Sequence, residues 1–77
     1  MKPTIGRIVH YRTTKDDRTV LGNTGGWEAS LLPAIITATH SDTCVNIQVF
    51  ADGRQNLWKT SVNEGDGEGQ WSWPVKE

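Results

Sequence analysis

The chain has 77 residues, of which 35% are hydrophobic and 22% charged, with a formal net charge of −1. This length predicts one domain over residues 1–77, near the lower limit for a self-sufficient core. The near-neutral charge excludes general binding of duplex DNA, which requires a basic stripe. No run approaches the roughly 20 apolar residues of a membrane-spanning helix, and no signal peptide is recognisable. We therefore expect a cytoplasmic protein without a membrane partner.

The chain has one cysteine, Cys44, which excludes an internal disulfide. Its Cys and His residues are also too few for a structural zinc site. Chains this small usually gain stability from disulfides, metals or association. With the first two excluded, we expect a homodimer that carries no cofactor and no metal. A single cysteine also fits a reducing cytoplasm.

The first predicted strand is Thr4–Arg12 (TIGRIVHYR), with apolar residues on both of its faces. This pattern predicts that part of the strand is covered on both sides. Gly6 indicates a bulge or a close backbone approach. Residues 13–32 show no helical period and contain the glycine-rich LGNTGG, so we predict a long irregular loop. A short helical turn at 27–32 is an alternative within it.

The clearest signal lies in Ala34–Val49, where two β-rich runs, AIITAT and CVNIQV, flank the polar residues 40–43. Such runs separated by a four-residue connector predict a β-hairpin. In the second run, Val45, Ile47 and Val49 form an apolar row that alternates with other side chains. This hairpin is the expected centre of the fold.

A further strand is predicted at Leu57–Val62, after a turn at Asp52-Gly53. Strict alternation would place Trp58, Thr60 and Val62 on one face of it. Residues 63–69 form an acidic, glycine-rich loop that lacks the ligand pattern of an EF-hand, so no metal site is predicted there.

The last predicted strand, residues 70–73, ends before Pro74 and places Trp71 and Trp73 on the same face. Five short strands with one long early loop predict an all-β domain. The architecture that fits best is a small SH3-like, partly open antiparallel barrel. The strand count also admits an OB-like barrel, for which the chain is short.

His40, Ser41 and Asp42 have the side chains of a hydrolytic triad, but adjacent residues cannot adopt the relay geometry. We interpret them as a hairpin turn in which Ser and Asp bond local backbone amides. Cys44 beside His10 or His40 would be a nucleophile–base pair. A lone cysteine at the start of a strand is more typically a small hydrophobe. We therefore predict that the protein is not an enzyme.

Four of the six aromatic residues are tryptophans, more than a small barrel interior easily encloses. Tryptophan favours interfaces and stacking platforms, although filling a tiny core is the alternative. Together with cationic side chains, the rings predict a site for a small anionic ligand such as a nucleotide. The candidate ligand-binding residues are Tyr11, Arg12, Arg54, Trp71 and Trp73, with His10 as a secondary candidate.

Three segments form a recognisable set: GRIVHY at Gly6–Tyr11, HSDTCVNIQVF at His40–Phe50 and WSWP at Trp71–Pro74. As a set they resemble a widespread family of short, uncharacterised phage and prophage proteins, from which no catalytic residue can be transferred. Phage proteins of this size include structural accessories and inhibitors of host defence, and some sequester cyclic-nucleotide immune signals as oligomers. The resemblance implies a non-enzymatic protein of the host-cell cytoplasm that sequesters a cyclic nucleotide. The alternative is a protein–protein adaptor or a minor phage structural component.

Overall fold

The computed structural model describes residues 2–21, 31–51 and 56–74 of the chain. The strands form one sheet in the order β4-β3-β2-β1-β5, in which each neighbouring pair is antiparallel. The sheet curls into a half-barrel, so the predicted all-β, partly open barrel is confirmed. No helix in the described ranges is long and apolar enough to cross a membrane. The elements are β1 (Ile8–Arg12), α1 (Lys15–Leu21), β2 (Leu31–Thr39), β3 (Cys44–Phe50), β4 (Asn56–Asn63) and β5 (Trp71–Ser72).

The predicted central hairpin is confirmed as β2 and β3, which pair from Ala34 opposite Val49 to Thr39 opposite Val45. Alternate side chains of both strands point to the concave side of the sheet, where they are excluded from solvent. The buried hydrophobic residues of the described chain are Val9, Tyr11, Leu21, Leu32, Ala34, Ile36, Val45, Ile47, Val49, Val62 and Trp71.

The two outermost strands of the sheet meet at one end of the barrel. Glu64, which directly follows β4, forms a parallel bridge with Trp71 of β5. The Gly65 N–H donates to the Trp71 carbonyl at 2.9 Å. The Trp71 indole Nε1 donates to the Thr43 carbonyl at 2.9 Å, across the same end. The half-barrel is therefore tied together at this end, and Trp71 fills its interior.

A bulge interrupts β4. Its residues Thr60 and Ser61 lie opposite the single residue Asn46 of β3. Ser61 has a φ of 54°, in the left-handed region, and its N–H donates to Asn46 Oδ1 at 2.9 Å. The extra residue reverses the alternation of the strand. The predicted faces are therefore wrong beyond the bulge, because Val62 is buried while Trp58 is exposed.

The first strand is shorter than predicted, because β1 begins at Ile8. Gly6 lies in the turn before it, with a φ of 92°, and its N–H donates to the Ile36 carbonyl at 2.8 Å. A Cβ at this position would meet nothing within 4 Å. The Ile36 N–H donates to the Arg7 carbonyl at 3.0 Å, so Gly6 and Arg7 together lie opposite Ile36. Two residues opposite one, with a glycine in the left-handed region, form a β-bulge, so the predicted bulge at Gly6 is confirmed.

The prediction of an irregular segment at 13–32 is wrong for Lys15–Leu21, which form α1. The helix begins with a capping box. Asp17 N–H donates to Thr14 Oγ1 at 3.1 Å, and Thr14 N–H donates to Asp17 Oδ2 at 3.0 Å. Leu21, at the other end, is buried in the core. Local side-chain bonds and one apolar anchor thus compensate for the weak helical period.

Two predicted features fall largely on residues that the structure does not describe. The turn at Asp52-Gly53 lies outside the described residues. The helical turn at 27–32 does too, except for Leu31 and Leu32, which are strand residues at the start of β2. The later predictions hold, since β4 spans Asn56–Asn63 and β5 begins at Trp71.

Candidate functional site

The predicted ligand-binding residues do not form one site. Tyr11 and Trp71 have no exposed surface and belong to the core, so a ligand could not stack on either ring without opening the barrel. His10 and Arg12 flank Tyr11 on β1 and point to the opposite, convex side of the sheet, partly exposed. Trp73 is half-buried at the bridged end of the barrel, and Arg54 lies outside the described residues.

A buried polar cluster joins three elements on the concave side. Tyr11 OH of β1 donates to Asp17 Oδ2 of α1 at 2.5 Å. Lys59 Nζ of β4 donates to Asp17 Oδ1 at 2.9 Å, and this ion pair is largely shielded from solvent. The cluster links β1, α1 and β4 where no bridge joins the two outermost strands. It is a structural tie, and sequence reasoning missed it together with the helix that carries Asp17.

The environment of this cluster fixes its protonation. Burial, followed by the hydrogen bond to Asp17 and its charge, raises the pKa of Tyr11 well above its ordinary value. Burial alone would also raise the pKa of Asp17. The hydrogen bonds from Thr14, Tyr11 and Lys59 outweigh that effect and hold the pKa of Asp17 below its ordinary value. At neutral pH Asp17 is therefore a carboxylate that accepts a hydrogen bond from a neutral Tyr11 phenol.

At the bridged end of the barrel, Trp73 is enclosed by two neighbours. The rings of Trp71 and Trp73 meet edge to face, with centroids 5.2 Å apart and an interplanar angle of 86°. This contact fits the prediction that both lie on one face of the last strand. The Arg7 guanidinium lies 5.6 Å from the centroid of the Trp73 ring. Arg7, which sequence reasoning did not select, thus makes a cation–π contact with Trp73.

The turn between β2 and β3 is bonded locally through Ser41, as predicted, whereas the contact that Asp42 makes in the described chain is with Lys2 at 4.0 Å. Ser41 Oγ accepts hydrogen bonds from Thr43 N–H (3.2 Å) and Cys44 N–H (3.0 Å). His40 Nε2 contacts Asn46 Oδ1 at 2.9 Å, so its imidazole is bound to an amide next to the β4 bulge. The serine is occupied by backbone donors, which agrees with its interpretation as a turn residue.

The convex side of the sheet carries a row of largely apolar side chains. Ile8 lies opposite Ile35, Ile35 opposite Gln48, and Gln48 opposite Trp58. The row crosses four strands, roughly 14 Å at the usual strand spacing. Its two ends, Ile8 and Trp58, are each 59% exposed. We call the convex surface around this row the outer face; it comprises Ile8, His10, Arg12, Leu31, Pro33, Ile35, Gln48, Phe50 and Trp58.

The outer face is poor in charge. None of the five strands contains an Asp or Glu. Of the two strand cations, Lys59 points inward to Asp17, which leaves Arg12 as the charged side chain that the strands present on this face. The Arg12 Nε is buried and has no hydrogen-bond partner. No acceptor in the described chain therefore fixes the guanidinium at that atom.

Sequence reasoning selected Arg12 and His10 but missed the apolar row beside them. The signal was present in the first strand, whose apolar residues on both faces predict cover on both sides. Within the described chain that prediction fails on one side, because Ile8 is 59% exposed. The described residues thus leave this part of the convex surface open.

No enclosed pocket is found in the part of the chain that the structure describes. Over the same residues, no three His, Cys, Asp or Glu side chains are grouped so that they could hold a metal ion. Comparison of the chain with family models, with curated proteins and with solved structures found no match. The geometry of the outer face is therefore the principal guide to function.

Proposed function

We propose that this protein is a non-enzymatic binding module that uses the outer face to bind another protein. The observation that carries the proposal is the row from Ile8 to Trp58, whose two ends are each 59% exposed. Large contiguous apolar patches are uncommon on monomeric soluble proteins and typically mark interaction sites. A convex, apolar surface suits a protein partner better than a small molecule, which favours a concave pocket.

The chemistry of the outer face favours a partner segment that combines apolar residues with a carboxylate. Arg12 lies opposite Leu31, so a guanidinium stands beside an apolar side chain. With no acceptor at its Nε, a small rotation of the Arg12 side chain lets its planar fork meet a carboxylate. None of the five strands contains an Asp or Glu, so no strand residue offers this cation an acidic partner. Arginine and tryptophan are also the residues that most often dominate binding energy.

The sizes of the expected contributions decide which residues to test. Full burial of an isoleucine side chain stabilises by about 1.5–3 kcal/mol. For Ile8, which is 59% exposed, roughly half of that remains for a partner to supply. A lysine at this position would also place a charge in an apolar contact. Ile8→Lys and Arg12→Ala therefore probe the apolar and the charged part of the surface separately.

A displayed library of random peptides, selected on the purified full-length protein, tests the proposal. We expect the recovered peptides to be enriched in large apolar residues and in Asp or Glu. We also expect Ile8→Lys and Arg12→Ala each to weaken their binding by roughly tenfold or more. Peptides without acidic residues, or binding unaffected by both substitutions, would contradict the proposal.

Two matched variants control for general effects of the substitutions. Val20 is an apolar residue of α1 with 60% exposure, almost the same as that of Ile8, but it lies on no strand. Lys2 is a well-exposed cation that contacts Asp42 at 4.0 Å. Val20→Lys and Lys2→Ala should bind the selected peptides as the unsubstituted protein does. A loss of binding in these controls would point to nonspecific charge or folding effects.

A second candidate function is sequestration of a small anionic ligand such as a cyclic nucleotide, as the resemblance to phage proteins implies. The observations that support it are the Arg7 guanidinium over the Trp73 ring and the unpartnered Nε of Arg12. Together a half-buried indole and a cation provide stacking and phosphate neutralisation. In that case the protein would act in the cytoplasm of a phage-infected cell.

Titration calorimetry against a panel of cyclic di- and trinucleotides distinguishes the two candidates. Nucleotide binding predicts heat release and a rise in Tm, because a ligand specific for the folded state stabilises it. Binding at Trp73 should be weakened by Arg7→Ala and left unchanged by Ile8→Lys. An absence of heat and of thermal stabilisation across the panel would leave protein binding as the function.

A further inference from the structure

We propose that two copies of this chain associate through the edge of β4, with the two β4 strands antiparallel. The inference goes beyond binding of a partner at the outer face. It rests on a separate observation, the state of the backbone edge of the sheet. It also assigns the predicted homodimer a specific contact.

The first half of β4 is an open edge in the described chain. The strand is the outermost member of the sheet on one side. The bridge that ties the barrel involves Glu64 and Trp71, beyond the end of β4. Along Asn56–Lys59, no described strand lies on the side away from β3. Backbone N–H and C=O groups on such an edge are ready to pair with another strand.

Proteins usually block edge pairing with proline, with a local bulge or with charged side chains that point either outward or inward. Asn56–Lys59 contains no proline. Its one charged residue, Lys59, is an inward-pointing charge, but Asp17 neutralises it within the chain at 2.9 Å. The bulge at Thr60 and Ser61 protects only the second half of the strand. The first half therefore remains competent for pairing.

A second copy fits this edge because the stretch can pair with itself. A two-fold axis perpendicular to the sheet makes the two β4 strands antiparallel and keeps the same face outward in both copies. The exposed residues Asn56 and Trp58 are uncharged, so the copies do not repel each other there. The two Trp58 rings, each 59% exposed, then lie side by side across the junction. Aromatic cross-strand pairs stabilise such contacts.

This dimer would join the two outer faces into one continuous surface. Each copy keeps its Ile8 and Arg12 accessible, because β1 lies three strands away from the joined edge. A partner with two binding segments could then engage both copies, which raises its apparent affinity without any new contact. Edge pairing and outer-face binding are thus compatible and separately testable.

Sedimentation velocity of the full chain over a range of concentrations tests the proposal with a matched pair of variants. Trp58 and Ile8 have the same exposure, but only Trp58 lies on the edge strand. We expect a dimer for the unsubstituted protein and for Ile8→Lys. We expect Trp58→Lys to raise the dimer dissociation constant by about 30-fold or more. Circular dichroism of each variant verifies that it is folded.

Three results would overturn the edge dimer. The first is an unsubstituted protein that stays monomeric at its highest attainable concentration. The second is a dimer that Ile8→Lys dissociates and Trp58→Lys does not, which would mean face-to-face association. The third is a result in hydrogen exchange. If the edge dimer forms, the amides of Asn56–Lys59 become more protected from exchange as protein concentration rises. Protection that instead appears only with an added peptide would assign the edge to a different partner.

Failure of the edge dimer and failure of outer-face binding give different results. A monomer that still binds acidic, apolar peptides through Ile8 and Arg12 would contradict only the dimer. A dimer that Trp58→Lys dissociates, in a protein on which no peptide is selected, would contradict only the proposed function.

Discussion

The side chains on the two faces of β1 differ in how far the described chain buries them and provides them with hydrogen-bond partners. On the concave face, Val9 and Tyr11 have no exposed surface, and the Tyr11 hydroxyl is bonded to Asp17. On the convex face, Ile8 is 59% exposed and the Arg12 Nε has no partner. Both faces belong to the same five residues. A shift of one residue along this strand therefore separates buried, bonded side chains from the exposed ones that we propose bind a partner.

Substitutions on the concave side should lower the free energy of unfolding, because they remove groups that are buried and bonded. Substitutions on the convex side should leave stability nearly unchanged, because solvent already reaches those groups. For binding of a partner we expect the reverse: substitutions on the convex side should weaken it, and substitutions on the concave side that leave the protein folded should not.

The largest effect is expected from Asp17→Ala. Removal of the carboxylate leaves the Tyr11 hydroxyl and the Lys59 ammonium without their common acceptor and removes half of the capping box. Breaking a buried pair typically costs 3–5 kcal/mol, and the partial exposure of Lys59 favours the lower end, about 3 kcal/mol. Urea unfolding measures the change. Asp16→Ala is the control, since Asp16 is exposed in the same helical turn; an equal loss there would contradict a specific role for Asp17.

Tyr11→Phe should have a smaller effect of about 1.5–2 kcal/mol. The substitution keeps the buried ring but removes the hydrogen bond to a charged acceptor. Because Asp17 retains its bonds from Thr14 and Lys59, the carboxylate stays ionised. Chemical denaturation of the single and double variants with Asp17→Ala measures their coupling. Strict additivity of the two losses would show that the Tyr11–Asp17 bond does not contribute.

The stability of the protein should fall in acid. The pKa of Asp17 is lowered on folding, so the unfolded state binds more protons near the ordinary carboxyl pKa of 3.8. The contribution of Asp17 is fully present above that range and is lost as pH falls through the folded pKa. Between about pH 6 and pH 2, the free energy of unfolding should therefore depend less steeply on pH in Asp17→Asn than in the unsubstituted protein. An unchanged slope in this variant would mean that other carboxyl groups dominate the acid response.

At alkaline pH the dependence should be reversed, so that the free energy of unfolding falls as the pH rises. Burial and the bond to Asp17 raise the pKa of Tyr11 above its ordinary value of 10.0. The folded state therefore retains a proton that the unfolded state loses, and the stabilisation declines as pH rises above about 10. Thermal unfolding between about pH 9 and 11 should show a weaker pH dependence for Tyr11→Phe. Equal slopes for both proteins would show that Tyr11 ionises alike in the two states.

Ile8→Lys should change the free energy of unfolding least, within about 0.5 kcal/mol. The side chain at this position is 59% exposed, and a lysine can extend into solvent from the convex surface. Chemical denaturation compared with Val20→Lys measures the difference. A loss of several kcal/mol specific to Ile8→Lys would indicate that Ile8 packs within this chain rather than against a partner.

The part of the fold that sequence could predict is the part controlled by alternation. Val45, Ile47 and Val49 are buried as their period-2 row predicts, because the hairpin has one face in the core. Alternation failed at Val62, because the bulge at Ser61 depends on a hydrogen bond that the Ser61 N–H donates to Asn46 Oδ1 of the neighbouring strand. A contact between strands that are distant in sequence leaves no local pattern, so it could not be foreseen.

The helix α1 was missed although its signal was local. Thr14 and Asp17 have the spacing of a capping box, which indicates a helix start even where the hydrophobic period is weak. Missing it also hid the acceptor for Tyr11, so that Tyr11 was grouped with Arg12 as one binding site. The alternation within β1 separates them, since Tyr11 shares its face with the buried Val9. Which of the two faces a partner covers depends on tertiary structure and could not be predicted from one strand.

The most direct test of the account is a map of amide chemical shifts in the ¹⁵N-labelled protein during titration with a selected acidic, apolar peptide. We expect the largest changes at Ile8, His10, Arg12 and Ile35, on the outer face. Ile8→Lys should abolish these changes. Changes concentrated instead in the 41–43 turn or in the Glu64–Glu68 loop would contradict the claim that the outer face is the binding surface.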